Sequence, residues 1–144
     1  MKKLFSIGLA LIAAITLNAQ KNIASSLVPA PAKAAFAKAH PNVTGKWEKE
    51  DGNYEVSFKE GGRNMSCVID KSGSIEETET EIAVTELPAP VTAYLATHYK
   101  GIAVKEAASI VKKDGKTVYE AEIKGKDILF DSQGHLVNTK KDND

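Results

Sequence analysis

Val28-Pro29-Ala30-Pro31-Ala32 recurs further along the chain as Leu87-Pro88-Ala89-Pro90-Val91. Other landmarks follow each copy in the same order. A helical stretch comes first, Ala32 to His40 and then Val91 to Tyr99. Next come an Asp-Gly turn (Asp51-Gly52, Asp114-Gly115) and a Tyr-Glu pair (Tyr54-Glu55, Tyr119-Glu120). Each copy closes with an apolar strand running into Asp-x-x-Gly-x-apolar. These are Ile69-Asp70-Lys71-Ser72-Gly73-Ser74-Ile75 and Phe130-Asp131-Ser132-Gln133-Gly134-His135-Leu136. Ordered self-similarity of this kind marks an internal repeat. Residues 28–86 form the first copy and 87–144 the second, with 20–27 as an N-terminal linker and Asn138 to Asp144 as a polar tail. At ~50–60 residues, neither copy buries a comfortable core alone, so the two are expected to share one.

The helices are short. Pro31 and Pro90 stand near their starts, where a missing N–H costs nothing, and Pro41 and Gly101 stop them. Val28, Ala32, Phe36 and Ala39 share one helical face, as do Leu87, Val91 and Leu95 with His98 or Tyr99.

The strands pair by their turns. A two-residue type I′ turn at Asp51-Gly52 sets Trp47 opposite Val56 and Lys49 opposite Tyr54. The same turn at Asp114-Gly115 sets Val111 opposite Val118, Ile110 opposite Tyr119 and Ala108 opposite Ala121. A tight turn at Lys124-Gly125 brings Ala121 to Ile128 and Tyr119 to Phe130. Trp47, Tyr54, Val56, Phe58, Met65, Cys67 and Ile69, with their second-copy equivalents, then line the face the helices cover. Strict alternation through Ile75 to Glu81 puts Glu77 and Glu79 on that same face, which is costly unless the strand carries a bulge.

These residues resemble the PepSY-like, beta-lactamase-inhibitor-like secreted proteins. The likeness rests on the paired Leu/Val-Pro-Ala segments, the short helices ending near His40-Pro41 and His98-Tyr99, the Tyr-Glu strands and the Asp-x-x-Gly turns. It spans Leu27 to about Val137. The resemblance implies an α+β fold of two tandem αβββ(β) repeats forming one antiparallel sheet with short helices packed on one face. It also implies a secreted or periplasmic protein that binds another protein through the open face of the sheet and its loops.

Composition narrows the function further. The 144 residues carry 19 basic and 19 acidic side chains, so there is no net charge to favour nucleic acid or an anionic membrane. Lys2 and Lys3 precede an apolar run from Leu4 to Leu17, followed by Asn18-Ala19-Gln20. That is the layout of a signal peptide, residues 1–19, cleaved after Ala19. Its apolar run of ~14 residues is short of the roughly 20 a spanning helix needs, so no stable membrane anchor is expected after cleavage.

Chemistry is sparse. Cys67 is the only cysteine and reads as a small buried hydrophobe within Met65-Ser66-Cys67-Val68-Ile69; a catalytic thiol there would need a nearby His. His40 and His98 sit at helix ends, and neither copy supplies metal-ligand spacing around them. The Asp70 and Asp131 loops lack the alternating oxygen ligands of a calcium loop. No Gly-x-Ser-x-Gly, His-Glu-x-x-His or Walker motif occurs. The chain is therefore read as a non-enzyme with neither cofactor nor metal.

This pairing leaves Val111, Val118, Leu129 and Val137 on the side away from the helices, with Glu48 and Glu55 on the same side in the first copy. Four clustered apolar side chains on an open face suit a surface for a partner or for self-association, or else the contact with another element such as the polar tail. The expected function is an exported protein-binding module, such as an inhibitor or regulator of an envelope enzyme. The alternative is a periplasmic sensor or small-ligand binder using the groove between the copies.

Overall fold

A computed structural model of the chain describes residues 21–137. The signal segment and the polar tail, both named above, lie outside the described residues.

Eight antiparallel strands lie side by side in chain order, β1 to β8, in one sheet. They are β1 (Lys21–Ile23), β2 (Lys46–Glu50), β3 (Asn53–Glu60), β4 (Arg63–Ile69), β5 (Ile75–Ile82), β6 (Glu106–Lys112), β7 (Thr117–Ile123) and β8 (Lys126–Phe130). Helix α1 (Ala30–Ala39) falls between β1 and β2, and α2 (Ala89–His98) between β5 and β6. This is the α+β arrangement of two tandem αβββ(β) units that the sequence implies. Part of the expected linker 20–27 is itself structural. β1 pairs with β2, setting Ile23 opposite Trp47, just as β5 pairs with β6 and sets Ile82 opposite Ala107. Each helix thus follows a strand that flanks its own repeat.

Pro29 and Pro88 cap the two helices, and Pro31 and Pro90 occupy their first turns, so each begins two residues before its expected start. α1 buries Ala32 and Phe36, and α2 buries Val91 and Leu95. Phe36 meets Trp47 and Phe58 edge-on, with centroids 5.7 and 5.0 Å away, an arrangement that adds to area burial. The buried residues beneath the helices divide into two clusters. One joins α1 to Trp47, Tyr54, Val56, Phe58, Cys67 and Ile69, and the other joins α2 to Ala107, Ala121, Ile123 and Phe130. The single shared core expected from repeat size is corrected on this point. What the copies share is the β5–β6 hydrogen-bond ladder, which lets each helix bury its stripe on its own half of the sheet.

The hairpins at Asp51-Gly52 and Lys124-Gly125 take the expected registers, with Trp47 opposite Val56 and Tyr119 opposite Phe130. The hairpin at Asp114-Gly115 does not. Its loop holds three residues: Lys112 N–H donates to the Lys116 carbonyl at 2.8 Å, and Gly115 N–H to the Lys112 carbonyl at 2.8 Å. Gly115 alone takes a left-handed φ of 82°, while the Asp114 carboxylate accepts the Lys116 N–H at 3.0 Å. A type I turn closed by a left-handed glycine is the usual three-residue hairpin, and it shifts the pairing by one. Ile110 therefore faces Val118, Val111 faces Thr117, and Ala107 faces Ala121. Val111 is corrected to the helix side, where it is exposed, and Ile110 and Ala108 move to the open face.

A bulge settles the acidic strand. Ile69 pairs with Ile75 but Val68 with Glu77, leaving Glu76 as the extra residue. One inserted residue reverses the alternation. Ile75 packs against the α1 cluster, whereas Glu77, Glu79 and Glu81 turn to the open face and Thr78, Thr80 and Ile82 to the helices.

Candidate functional site: the face opposite the helices

Strand register assembles this face from rows that run across the sheet. One row reads Glu48, Glu55, Val68, Glu77, Lys112, and the next Lys46, Ser57, Ser66, Glu79, Ile110, Val118. Glu81, Ala108, Glu120 and Leu129 follow, then Glu106, Glu122 and Asp127. Glu48 and Glu55 stand directly opposite one another, as the Asp51-Gly52 turn requires. The result is a band of carboxylates beside a small apolar cluster.

That cluster is Ile110, Val118 and Leu129, each 4–7% exposed, with half-buried Val137 packed on them. Val137 N–H donates to the Leu129 carbonyl at 2.9 Å, which ties the chain back over the end of the sheet. Val118, Leu129 and Val137 thus meet as expected, but they close on one another and do not present an apolar docking patch. Val111, the fourth expected member, is on the opposite face and 46% exposed.

The carboxylates carry the unusual electrostatics. Glu55, Glu79, Glu120 and Glu122 are buried. Burial pushes Glu79 up to about 9, and the neighbouring carboxylates Glu120, Glu55, Glu77 and Asp127 push the same way. Glu120 is pushed up to about 8 by burial, then by Asp127 and Glu122, with Lys112 opposing. Asp127 is raised for the same reasons, burial first and Glu122 next. Lys112 is held by Glu77 at 2.5 Å, and Lys105 reaches Glu122 at 3.5 Å. One oxygen of Glu79, Oε1, is buried with no hydrogen-bond partner. The one signal for these residues in the sequence is the Glu-Thr-Glu-Thr run, and it points to this face only once the bulge at Glu76 is known.

A second constellation surfaces under α1. His40 Nδ1 lies 2.7 Å from Glu60 Oε2, and His40 Nε2 lies 3.6 Å from the Cys67 sulfur, which is also 3.4 Å from the Thr78 hydroxyl. The histidine a reactive thiol would need is therefore present. Cys67 is nevertheless fully buried, and burial pushes its thiol up, so the thiolate is disfavoured. The ring of His40 packs between Phe36 and Phe58, which makes it part of the α1 core.

The Asp-x-x-Gly loops spend their carboxylates on themselves. Asp70 Oδ1 accepts the N–H groups of Ser72 and Ser74 at 2.8 and 2.9 Å, and Asp131 Oδ1 accepts those of Gln133 and His135 at 2.8 and 3.0 Å. Among the described residues, no group of three or more His, Cys, Asp or Glu side chains could hold a metal ion. A cavity of about 550 Å³ lies against α2, lined by Leu87, Leu95, Tyr99, Ile102 and Val104 among others. Its lining runs from Val84 to Val104, around α2. No described helix is long and apolar enough to cross a membrane.

A family model described as "Putative beta-lactamase-inhibitor-like, PepSY-like" matches residues 15–76 and again 52–138. Among solved structures, a "putative periplasmic" protein from Bacteroides eggerthii superposes with a TM-score of 0.70 at 18% identity, covering 77% of this chain and 86% of that one. A DUF2874 family protein from Bacteroides uniformis gives 0.69 at 21% identity, covering 76% and 86%. A BLIP-like protein from Bacteroides fragilis gives 0.60 at 23% identity, covering 81% and 92%. At these identities the likeness is one of fold. No curated protein matches the chain.

Proposed function

Because the chain belongs to the PepSY-like, beta-lactamase-inhibitor-like family, we propose that it is an exported, non-catalytic module that binds another protein through the face of its sheet opposite the helices. Family membership supports a binding role. The periplasmic description of its structural neighbour agrees with the export signal read at Lys2-Lys3, Leu4 to Leu17 and Ala19.

The observation that carries the proposal is the placement of buried carboxyl groups at Glu55, Glu79 and Glu120, on a face where no described helix packs. Burying such groups costs folding energy and does nothing to hold α1 or α2. Glu79 and Glu120, acids strongly shifted by burial and by neighbouring carboxylates, are candidates for a recognition role. Glu48 and Glu55, two of the expected contact residues, belong to the same band.

The test is site-specific photocrosslinking in the native envelope. A photoreactive side chain at Ser57, on the proposed face, is expected to form a defined protein adduct. One at Val111, exposed on the helix side, is expected to form none. Adducts from Val111 alone would move the binding surface to the helix side.

A further inference from the structure

Resting on the protein-binding reading above, we infer that the occupant of this face is a basic segment of the partner, its lysine or arginine side chains reaching between the carboxylates to Glu79 and Glu120. The argument starts from one atom. Glu79 is 8% exposed, and its Oε1 has neither solvent nor a hydrogen-bond donor. A buried acceptor left unmade is expensive, commonly about 1–3 kcal/mol, so the site is incomplete as it stands.

The charges that act on Glu79 are carboxylates drawn from several strands. Glu55 approaches from β3, Glu77 from β5 itself, Glu120 from β7 and Asp127 from β8. Ser66 of β4 and Ile110 of β6 flank it in the row, and they bring no charge. Lys112 of β6 is engaged by Glu77. The missing component is a donor with positive charge.

A metal ion fits poorly. Calcium takes six to eight oxygen ligands at about 2.3–2.6 Å, whereas these carboxylates are spread over several strands and no three of the described ones can converge on a single ion. Spread carboxylates suit separate ammonium or guanidinium groups on one chain. An extended peptide presents alternate side chains on one side about every 6.6–6.8 Å, and long basic side chains carry their charge at the end of an apolar stem. Where the cation arrives, the proton held by Glu79 or Glu120 leaves to the buffer, so binding releases protons near neutral pH.

The test uses the purified full chain and two synthetic octapeptides, alternating Lys-Ser and alternating Glu-Ser, titrated calorimetrically in two buffers of different ionisation enthalpy. The Lys-Ser peptide is expected to bind with net proton release, and the Glu-Ser peptide not at all. Glu79→Gln with Glu120→Gln is expected to weaken binding at least tenfold and to abolish the proton release, with thermal melting showing that the variant folds. Asp51→Asn, which removes a carboxylate from a distant turn, is expected to leave affinity unchanged. Equal weakening by Asp51→Asn would reveal attraction to overall charge alone and overturn the inference, as would unaltered binding by the double variant. Self-association lost in the double variant would identify a second copy of the chain as occupant and also overturn it. If Ser57 crosslinks a partner while the basic peptide fails to bind, the basic occupant falls and the protein-binding reading stands.

Discussion

A Cβ placed on Gly73 would come within 2.7 Å of the Pro31 carbonyl oxygen, so the turn after β4 rests directly on the first turn of α1. The second repeat reproduces the contact, with Gly134 2.6 Å from the Pro90 oxygen by the same measure. This explains why the Pro-containing segment and the Asp-x-x-Gly segment recur together. They are the two sides of one junction, which fixes how each helix sits on the sheet.

Gly73→Ala is accordingly expected to strain the backbone, at φ of 90°, and to push against Pro31. The two effects together should cost about 2–4 kcal/mol. Gly52→Ala, at a similar φ but with nothing within 4 Å of the new methyl, should cost only the conformational part, about 1–2 kcal/mol. Urea melts of the two variants check the difference, and equal losses would mean that the junction yields.

The β6–β7 register has its own test. Ile110→Lys drives a charge into the cluster with Val118 and Leu129 and should cost about 3 kcal/mol or more. Val111→Lys, at a position 46% exposed, should stay within about 0.5 kcal/mol. Val118→Lys, at a position that strand alternation alone marks as surface, should resemble Ile110→Lys because Val118 is 7% exposed. A two-residue turn at Asp114-Gly115 would exchange the ranks of positions 110 and 111.

Stability should fall as pH rises. Folded Glu79 keeps its proton to about 9 and Glu120 to about 8, whereas both lose it near 4.5 in the unfolded chain. The folded state therefore binds more protons across that window. The associated stability is full below the unfolded value and is lost as pH climbs through the folded one. Melting temperature is expected to drop between about pH 5 and pH 9, and Glu79→Gln should flatten the slope and raise stability at the alkaline end, on the order of 2 kcal/mol. An unchanged slope in Glu79→Gln would mean that Glu79 ionises freely in the fold.

Cys67 is expected to be inert in the folded chain, since it is fully buried and its thiol is pushed up by burial. Iodoacetamide should label it only in proportion to the unfolded fraction across a urea titration. Rapid labelling without urea would show that β4 opens locally around His40 and Thr78.

Local sequence determined a good deal by itself. The paired Pro and Gly landmarks specify two repeats, and Asp51-Gly52 and Lys124-Gly125 specify their hairpins, because turn geometry is set by the φ that a few adjacent residues can adopt. The Asp70 and Asp131 loops are equally local, each carboxylate bonding N–H groups no more than four residues on. The same reading failed at Asp114-Gly115, where a two- or three-residue loop satisfies the same dipeptide, and it left Glu77 and Glu79 unresolved until the bulge at Glu76 placed them. Side chains alternate with a period of two, so one inserted residue sends a whole strand's side chains to the other face. Packing of β6 under α2 and of Ile75 under α1 decides such choices, and with them whether Val111 or Ile110 joins Val118. The buried carboxylates of Glu79 and Glu120 and the approach of His40 to Cys67 exist only after those registers are set, since each joins residues from strands or helices far apart in the chain.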